Sequence, residues 1–357
     1  MKICFFADSE SIHTMRWCNH FKEIGHEVHL ISFKSAKVHG VQNYFVGLNT
    51  ISVKGGNWKV LFKYRKVKKL VSEIKPDIFH AMYATSYGVT GALCGFKPYI
   101  ITALGSDLLI SPKNSKMYRF LLKYAFSKAQ LITVMSDQMK VEAEKLGVLE
   151  SKVFTLPFGI DPEIFNANNR SLETTKFVVT STRNFETIYN IPHLLYAIKK
   201  VKDAIPNIHL NLIGDGSLRD ELKTLVKQLE LENCVTFFGK IPQAQIVEVL
   251  NKSHVFVSVS LSDGNNISLN EAMACEVLCI ATDIPANRQW ITHEENGFLV
   301  EINDIDSLAN RLLESVNNYD ELQQKSLPLS RKLLQEKGIW EVNMKRMEDQ
   351  YKRLVNK

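Results

Sequence analysis

Short apolar runs alternate with longer stretches of helical spacing, and this rhythm occurs twice along the chain. In the first half, apolar runs near 2–7, 27–32, 77–81, 98–102, 131–134 and 153–156 are bounded by turn residues and read as strands. Between them, the apolar spacing predicts helices near 12–24, 58–74, 86–94, 115–127 and 136–146. The pattern restarts at Lys176-Phe177-Val178-Val179-Thr180-Ser181 and repeats strand and helix to about residue 315. Such alternation predicts parallel sheets covered on both faces, here two doubly wound, Rossmann-like α/β domains. Ligands of these sheets bind beyond the carboxyl ends of the strands, which makes the crevice between the domains the expected site. Gly159, Pro162 and the polar run 166–171 mark a linker. The domains are therefore expected over 1–166 and 172–337, followed by a last helix over about 338–357.

The 357 residues are too many for one ordinary core and enough for two. No apolar run reaches the roughly 18 residues that span a bilayer, and Met1 to Phe6 lacks the length of a secretory core. The six cysteines are scattered through apolar segments without a Cys-x2-Cys pair. They read as reduced, buried thiols of a cytoplasmic protein, with no metal site expected.

The most informative chemistry lies in 262–275. His254 to Ser260 alternates as a strand, and Leu269, Ala272 and Met273 recur at helical spacing, so the polar turn between them joins a strand to a helix. Asp263 and Glu271 stand eight residues apart across that turn. The backbone amides of Asn265, Asn266, Ile267 and Ser268 are expected to face outward at the helix start, where unsatisfied N–H groups and the helix dipole attract a diphosphate. Carboxylates accept hydrogen bonds from the paired hydroxyls of ribose and hexose. The plainer alternative is that Asp263 caps the helix and Glu271 is a solvated helix residue.

These residues resemble the family 4 retaining glycosyltransferases of the group 1 superfamily, whose C-terminal half carries Glu-x7-Glu followed by Ala-Met-Ala. Here the first acid is Asp263, and Glu271-Ala272-Met273-Ala274 stands as in the family. Met1 to Phe6, Gly25 to Leu30 and Pro76 to His80 are similar to the family's early strands. Leu156 to Asp161 and Phe165 are similar to its domain junction, and Leu212-Ile213-Gly214-Asp215-Gly216, Val235 to Gly239 and Asn296 to Val300 follow in order. The resemblance covers nearly the whole chain. It implies the GT-B fold, two Rossmann-like domains facing a central cleft, with the last helix crossing back onto the acceptor-binding first domain.

The resemblance also implies roles. Arg183, in Thr182-Arg183-Asn184, would hold the donor diphosphate and offset the charge left as the sugar departs, unless it only forms a surface ion pair. Asp263 would hold donor-sugar hydroxyls and Glu271 the ribose. Gly214 would line the donor pocket, and Gly239 would let the backbone approach the base or simply make a tight turn. On the acceptor side stand His13 and Arg16 after the first strand, Tyr83 with Ser86 and Tyr87, and Asp107. Ser11 as a helix cap and aromatic core packing are the plain alternatives there. Three positions depart from the family: Ile188, Tyr189 and Asn190 replace its lysine, Leu104 its histidine, and 282–289 its paired glycines. The implied activity is transfer, with retention and without a metal or cofactor, from a UDP- or GDP-type nucleotide sugar to a glycan or lipid-linked acceptor in cell-surface polysaccharide or glycolipid synthesis. The alternative is a non-catalytic GT-B subunit binding a partner enzyme or a glycan.

Charge changes the picture in the first half. Met1 to Asn166 carries 22 Lys and Arg against 13 Asp and Glu, whereas the remainder carries 22 against 25. The densest stretches are Trp58 to Val71, with Leu61, Tyr64, Lys68 and Val71 on one expected helical face, and Lys113 to Lys123. Such helices suit peripheral contact with an anionic membrane, the inner face for a cytoplasmic enzyme, or are solvated faces. No nucleic-acid motif accompanies the charge, so nucleic acid is not an expected partner.

Overall fold

A computed structural model describes residues 1–47 and 58–356. It divides into two compact units, Met1–Pro157 with Met344–Lys357, and Phe158–Asn343. In the first unit, seven parallel strands, β1 (Lys2–Phe6), β2 (Glu27–Ser32), β3 (Gln42–Phe45), β4 (Ile78–Met82), β5 (Tyr99–Thr102), β6 (Leu131–Val134) and β7 (Val153–Thr155), take the order β3-β2-β1-β4-β5-β6-β7. In the second, β8 (Phe177–Ser181), β9 (Ile208–Ile213), β10 (Val235–Gly239), β11 (Val255–Ser258), β12 (Leu278–Thr282) and β13 (Phe298–Val300) take the order β10-β9-β8-β11-β12-β13. Both are doubly wound sheets, with the winding reversed between β1 and β4 and between β8 and β11.

The strand sequences explain the layers. Ile78-Phe79-His80-Ala81-Met82 and Leu278-Cys279-Ile280-Ala281-Thr282 are buried throughout, as central strands of a parallel sheet covered by helices on both faces must be. In the second unit the two faces fill separate apolar clusters, one around Val179, Leu210 and Val257 and the other around Phe256, Leu269 and Trp290. All six cysteines are buried and free. Among the described residues no helix is long and apolar enough to cross a membrane.

Residues 344–356 complete the first unit's core. Tyr351 is fully buried, its ring 5.1 Å from that of Phe21, and its hydroxyl lies 2.6 Å from His80 Nδ1. His80 Nε2 in turn lies 2.6 Å from Thr102 Oγ1, which is 2.5 Å from Thr133 Oγ1. A hydrogen-bonded chain thus runs from the last helix, Trp340–Val355, across β4, β5 and β6. Burial holds the His80 imidazole down to about 3, so it is neutral and each ring nitrogen can act in one role.

The basic stretch differs from its expected face. A tighter 3₁₀ segment, Trp58–Lys63, precedes the α-helix Tyr64–Ile74, which buries Val67, Val71 and Ile74 and leaves Lys68 exposed. The side chains of Trp58 and Lys59 lie outside the described residues. The buried positions Val60, Val67, Val71 and Ile74 recur at helical spacing on a face beside the stripe through Leu61, Tyr64 and Lys68.

Candidate active site

Arg183 sits just past β8 and the 259–266 turn just past β11, so the reversal of the second sheet brings them together. The guanidinium is 8% exposed and donates from Nη2 to Asp263 Oδ2 at 2.5 Å and from Nη1 to Asn266 Oδ1 at 2.9 Å. Its third edge, Nε, is buried with no partner among the described residues. The Tyr189 ring stacks on it, 4.2 Å from Cζ to the ring centroid. Tyr189 falls in the stretch where the family resemblance placed a lysine, so the position that lacks a second cation steadies the first through its π face.

Asn266 fixes this arginine to the helix Ile267–Ala274. Its Oδ1 also accepts from the Leu269 amide at 3.2 Å, which makes Asn266 the helix cap. Its Nδ2 donates to Ser258 Oγ and to Asn287 Oδ1, each at 2.9 Å, and Asn287 is tied to the Thr282 carbonyl at 2.8 Å. Asp263 does not cap the helix; it is the partner of Arg183, and its Oδ1 accepts the Asn265 amide at 3.3 Å. Of the four amides expected to be open, that of Asn265 is therefore taken, and that of Ile267 donates to the Asn265 carbonyl at 3.0 Å. Those of Asn266 and Ser268 have no partner among the described residues. The Ser268 hydroxyl donates to the Thr182 carbonyl at 3.3 Å, closing the turn onto the arginine strand. Glu271 lies one turn into the helix, half-buried.

Gly214 and Gly239 differ in what they do. At Gly214, φ is +143°, and a Cβ would stand 2.5 Å from the Arg183 carbonyl oxygen. Its bareness lets the β9 loop pass against the arginine backbone. Gly239 has φ +70° with open space where a Cβ would go, so a turn conformation is all its glycine requires locally. Sequence reasoning missed Asn287 and Trp290, whose Nε1 donates to Asn265 Oδ1 at 2.9 Å. The available signal was a Pro285-Ala286-Asn287 helix start where the family has glycines.

In the first unit, the named residues follow β1, β4 and β5, around that sheet's own reversal. His13 and Arg16 occupy the first turns of the helix Ile12–Glu23, and burial, with Arg16 adding, pushes the His13 imidazole down to about 4. Ser11 stands at the cap position but makes no side-chain capping bond. Tyr83 adopts φ +85°, a conformation that an L-residue keeps only when its surroundings enforce it, and its hydroxyl lies 3.1 Å from Ser106 Oγ. Asp107 is fully buried, with its carboxylate accepting the amides of Ala84 (2.6 Å), Leu104 (3.0 Å) and Gly105 (2.8 Å). It ties the β4 and β5 loops together and offers no oxygen to solvent, so the expected contact of Asp107 with an acceptor gives way to a bracing role beside Tyr83.

Residues 163–326 match the family model for glycosyl transferases group 1, and residues 2–136 match that for glycosyl transferase 4-like proteins. The chain belongs to the group 1 glycosyltransferases. Among curated relatives of this glycosyltransferase is the N-acetyl-alpha-D-glucosaminyl L-malate synthase of Bacillus anthracis, 24% identical over 84% of this chain and 82% of the relative. The UDP-Gal:alpha-D-GlcNAc-diphosphoundecaprenol alpha-1,3-galactosyltransferase of Escherichia coli is 27% identical over 69% of this chain and 67% of its own length. Among solved structures, Anabaena HepE in complex with UDP superposes with a TM-score of 0.84 at 17% identity, covering 99% of this chain and 100% of that one. The fold of this glycosyltransferase is that of the GT-B enzymes.

Proposed function

We propose that this glycosyltransferase takes a sugar from a UDP- or GDP-type nucleotide sugar, without a metal or cofactor, and places it with retention on a hydroxyl of a lipid-linked or glycan acceptor. The observation that carries the proposal is the joining of Arg183, Asp263 and Asn266 past β8 and β11. A planar fork held on two edges and stacked on a third surface is preorganised for phosphate oxygens. Its pairing with Asp263 leaves little net charge, so the Asn266 and Ser268 amides at the helix start share the work of offsetting a departing diphosphate. In this reading Asp263 turns one oxygen to the donor sugar, Glu271 meets the ribose, and His13, Arg16 and Tyr83 serve the acceptor. The leaving phosphate takes the acceptor proton, and preorganised binding of both substrates supplies much of the rate. The relatives' printed names, one with a UDP-sugar donor and one crystallised with UDP, support this donor class.

Nucleotide-dependent melting tests it. UDP or GDP at about a hundredfold over its dissociation constant is expected to raise the melting temperature by several degrees, since only a ligand of the folded state does so. No shift with any nucleoside diphosphate would remove the donor assignment.

The acceptor class draws support from the first unit's surface. Phe62 is 79% and Phe120 70% exposed, and both lie among basic residues. On the helix Lys116–Lys128, exposed Met117 and Phe120 stand beside exposed Lys116, Arg119 and Lys123. The segment Trp58–Lys63 and this helix both pack against the short helix Val89–Ala92, on one side of the sheet. Apolar side chains ringed by lysines suit the headgroup layer of an anionic leaflet, as a lipid-linked acceptor requires. Sedimentation with phosphatidylglycerol vesicles is expected to pellet the protein, and replacing Lys116, Arg119 and Lys123 by Ser should weaken binding about a hundredfold, at ~1 kcal/mol for each charge. Equal binding to neutral and anionic vesicles would end the membrane proposal.

A further inference from the structure

Over β9 and β10, one face of the second sheet carries polar side chains, whereas further along the same face β11 and β12 carry apolar ones. Phe177, Val179, Leu210 and Val235 fill the core on one side. On the other side, alternate positions present His209 and Asn211 from β9 and Thr236 and Phe238 from β10. The helix Gln243–Asn251 covers this side only partly, because Ile246, Val247 and Leu250 turn into the neighbouring apolar cluster. The result is a groove of about 410 Å³, within the range of small-molecule sites.

Its floor is ordered and its rim is chemically unspent. His209 Nε2 lies 2.9 Å from Thr236 Oγ1, and Asn211 Nδ2 donates to Thr180 Oγ1 at 3.4 Å. At the rim, the side chains of Lys176, Gln245, Glu248 and Lys252 form no hydrogen bond or ion pair among the described residues. The lining holds two ammonium groups, Lys176 and Lys252, and two carboxylates, Glu173 and Glu248, and so sums to no formal charge. Such a set disfavours an anion or a metal ion and favours an uncharged ligand rich in groups that both donate and accept. Phe238, 38% exposed, adds an aromatic ring on which the C–H face of a pyranose can lie.

We infer that this groove is a secondary carbohydrate site, holding about one or two rings of a neutral oligosaccharide. Its floor is set back from the donor constellation: Val178 precedes Arg183 by five residues, roughly 16 Å along an extended strand, and only Phe238 and Ile241 lie toward the carboxyl end of β10, beside Gly239. The inference stands whether or not Arg183 holds a diphosphate.

Saturation-transfer NMR on the full chain, with maltotriose, triacetylchitotriose and a galactotriose each at ~10 mM, tests it at the millimolar affinity that one shallow site supports. At least one sugar is expected to bind in the presence of saturating UDP. Phe238→Ala and Glu248→Ala, both at exposed positions, should each weaken that binding at least about fivefold without changing the melting temperature, whereas Arg183→Ala should leave it unchanged. Three results would each overturn the inference: no transfer to any of the three sugars, binding lost with Arg183→Ala but kept with Phe238→Ala, or inorganic phosphate displacing the sugar.

Discussion

Arg183→Ala is expected to lower kcat about 10²–10³-fold, the cost of removing one preorganised donor aimed at developing charge. The same change strands Asp263, only 15% exposed, without its cation, and breaking such a pair from one side costs about 3–5 kcal/mol of stability. The two effects separate in the double variant. Arg183→Ala with Asp263→Ala should recover most of the lost melting temperature, because no uncompensated carboxylate remains, yet stay as inactive as the single variant. Arg183→Lys keeps the charge but loses the fork to Asn266 and the flat contact with Tyr189, so it should recover little activity. Steady-state kinetics with the nucleotide that raises the melting temperature is the check. A kcat within threefold of the parent in Arg183→Ala would remove the arginine from the chemistry.

The second large effect is expected at Gly214. A methyl group there meets the Arg183 carbonyl oxygen at 2.5 Å, and that oxygen belongs to the backbone and cannot rotate away. The φ of +143° adds strain that an L-residue cannot relieve without moving the loop. Gly214→Ala should therefore cost about 2–4 kcal/mol and displace Arg183 along with it. Weakened nucleotide binding would accompany the lower melting temperature. Gly239→Ala is the control: nothing lies within 4 Å of its Cβ position, so only turn strain remains and the loss should be about 1–2 kcal/mol. Equal losses at the two positions would mean that the contact with the arginine backbone is unimportant.

The strands were legible because a parallel strand buried on both faces is written as a nearly continuous apolar run, as in 278–281 and, broken only by His80, in 78–82. β3 was not, because Gln42-Asn43-Tyr44-Phe45 is a short edge strand with polar side chains, indistinguishable locally from a loop. In the site, Arg183, Asp263 and Asn266 could be named because each follows a recognisable strand. Their mutual distances could not, since residues eighty positions apart meet only through the reversal of strand order between β8 and β11. The roles of Asn287 and Tyr189 are illegible for the same reason, as both are defined by what they touch. Asp107 shows the opposite error: a motif position suggested a contact residue, and three backbone amides claim its carboxylate.

The chain of hydroxyls and imidazole from Tyr351 to Thr133 has a bearing on biosynthesis. The lobe that holds β1 lacks one wall of its interior until Tyr351 has emerged from the ribosome, so its core closes only after the second lobe has been made. Until then Phe21 and His80 face an unfilled notch, and the nascent chain depends on the rest of its own translation to seal it.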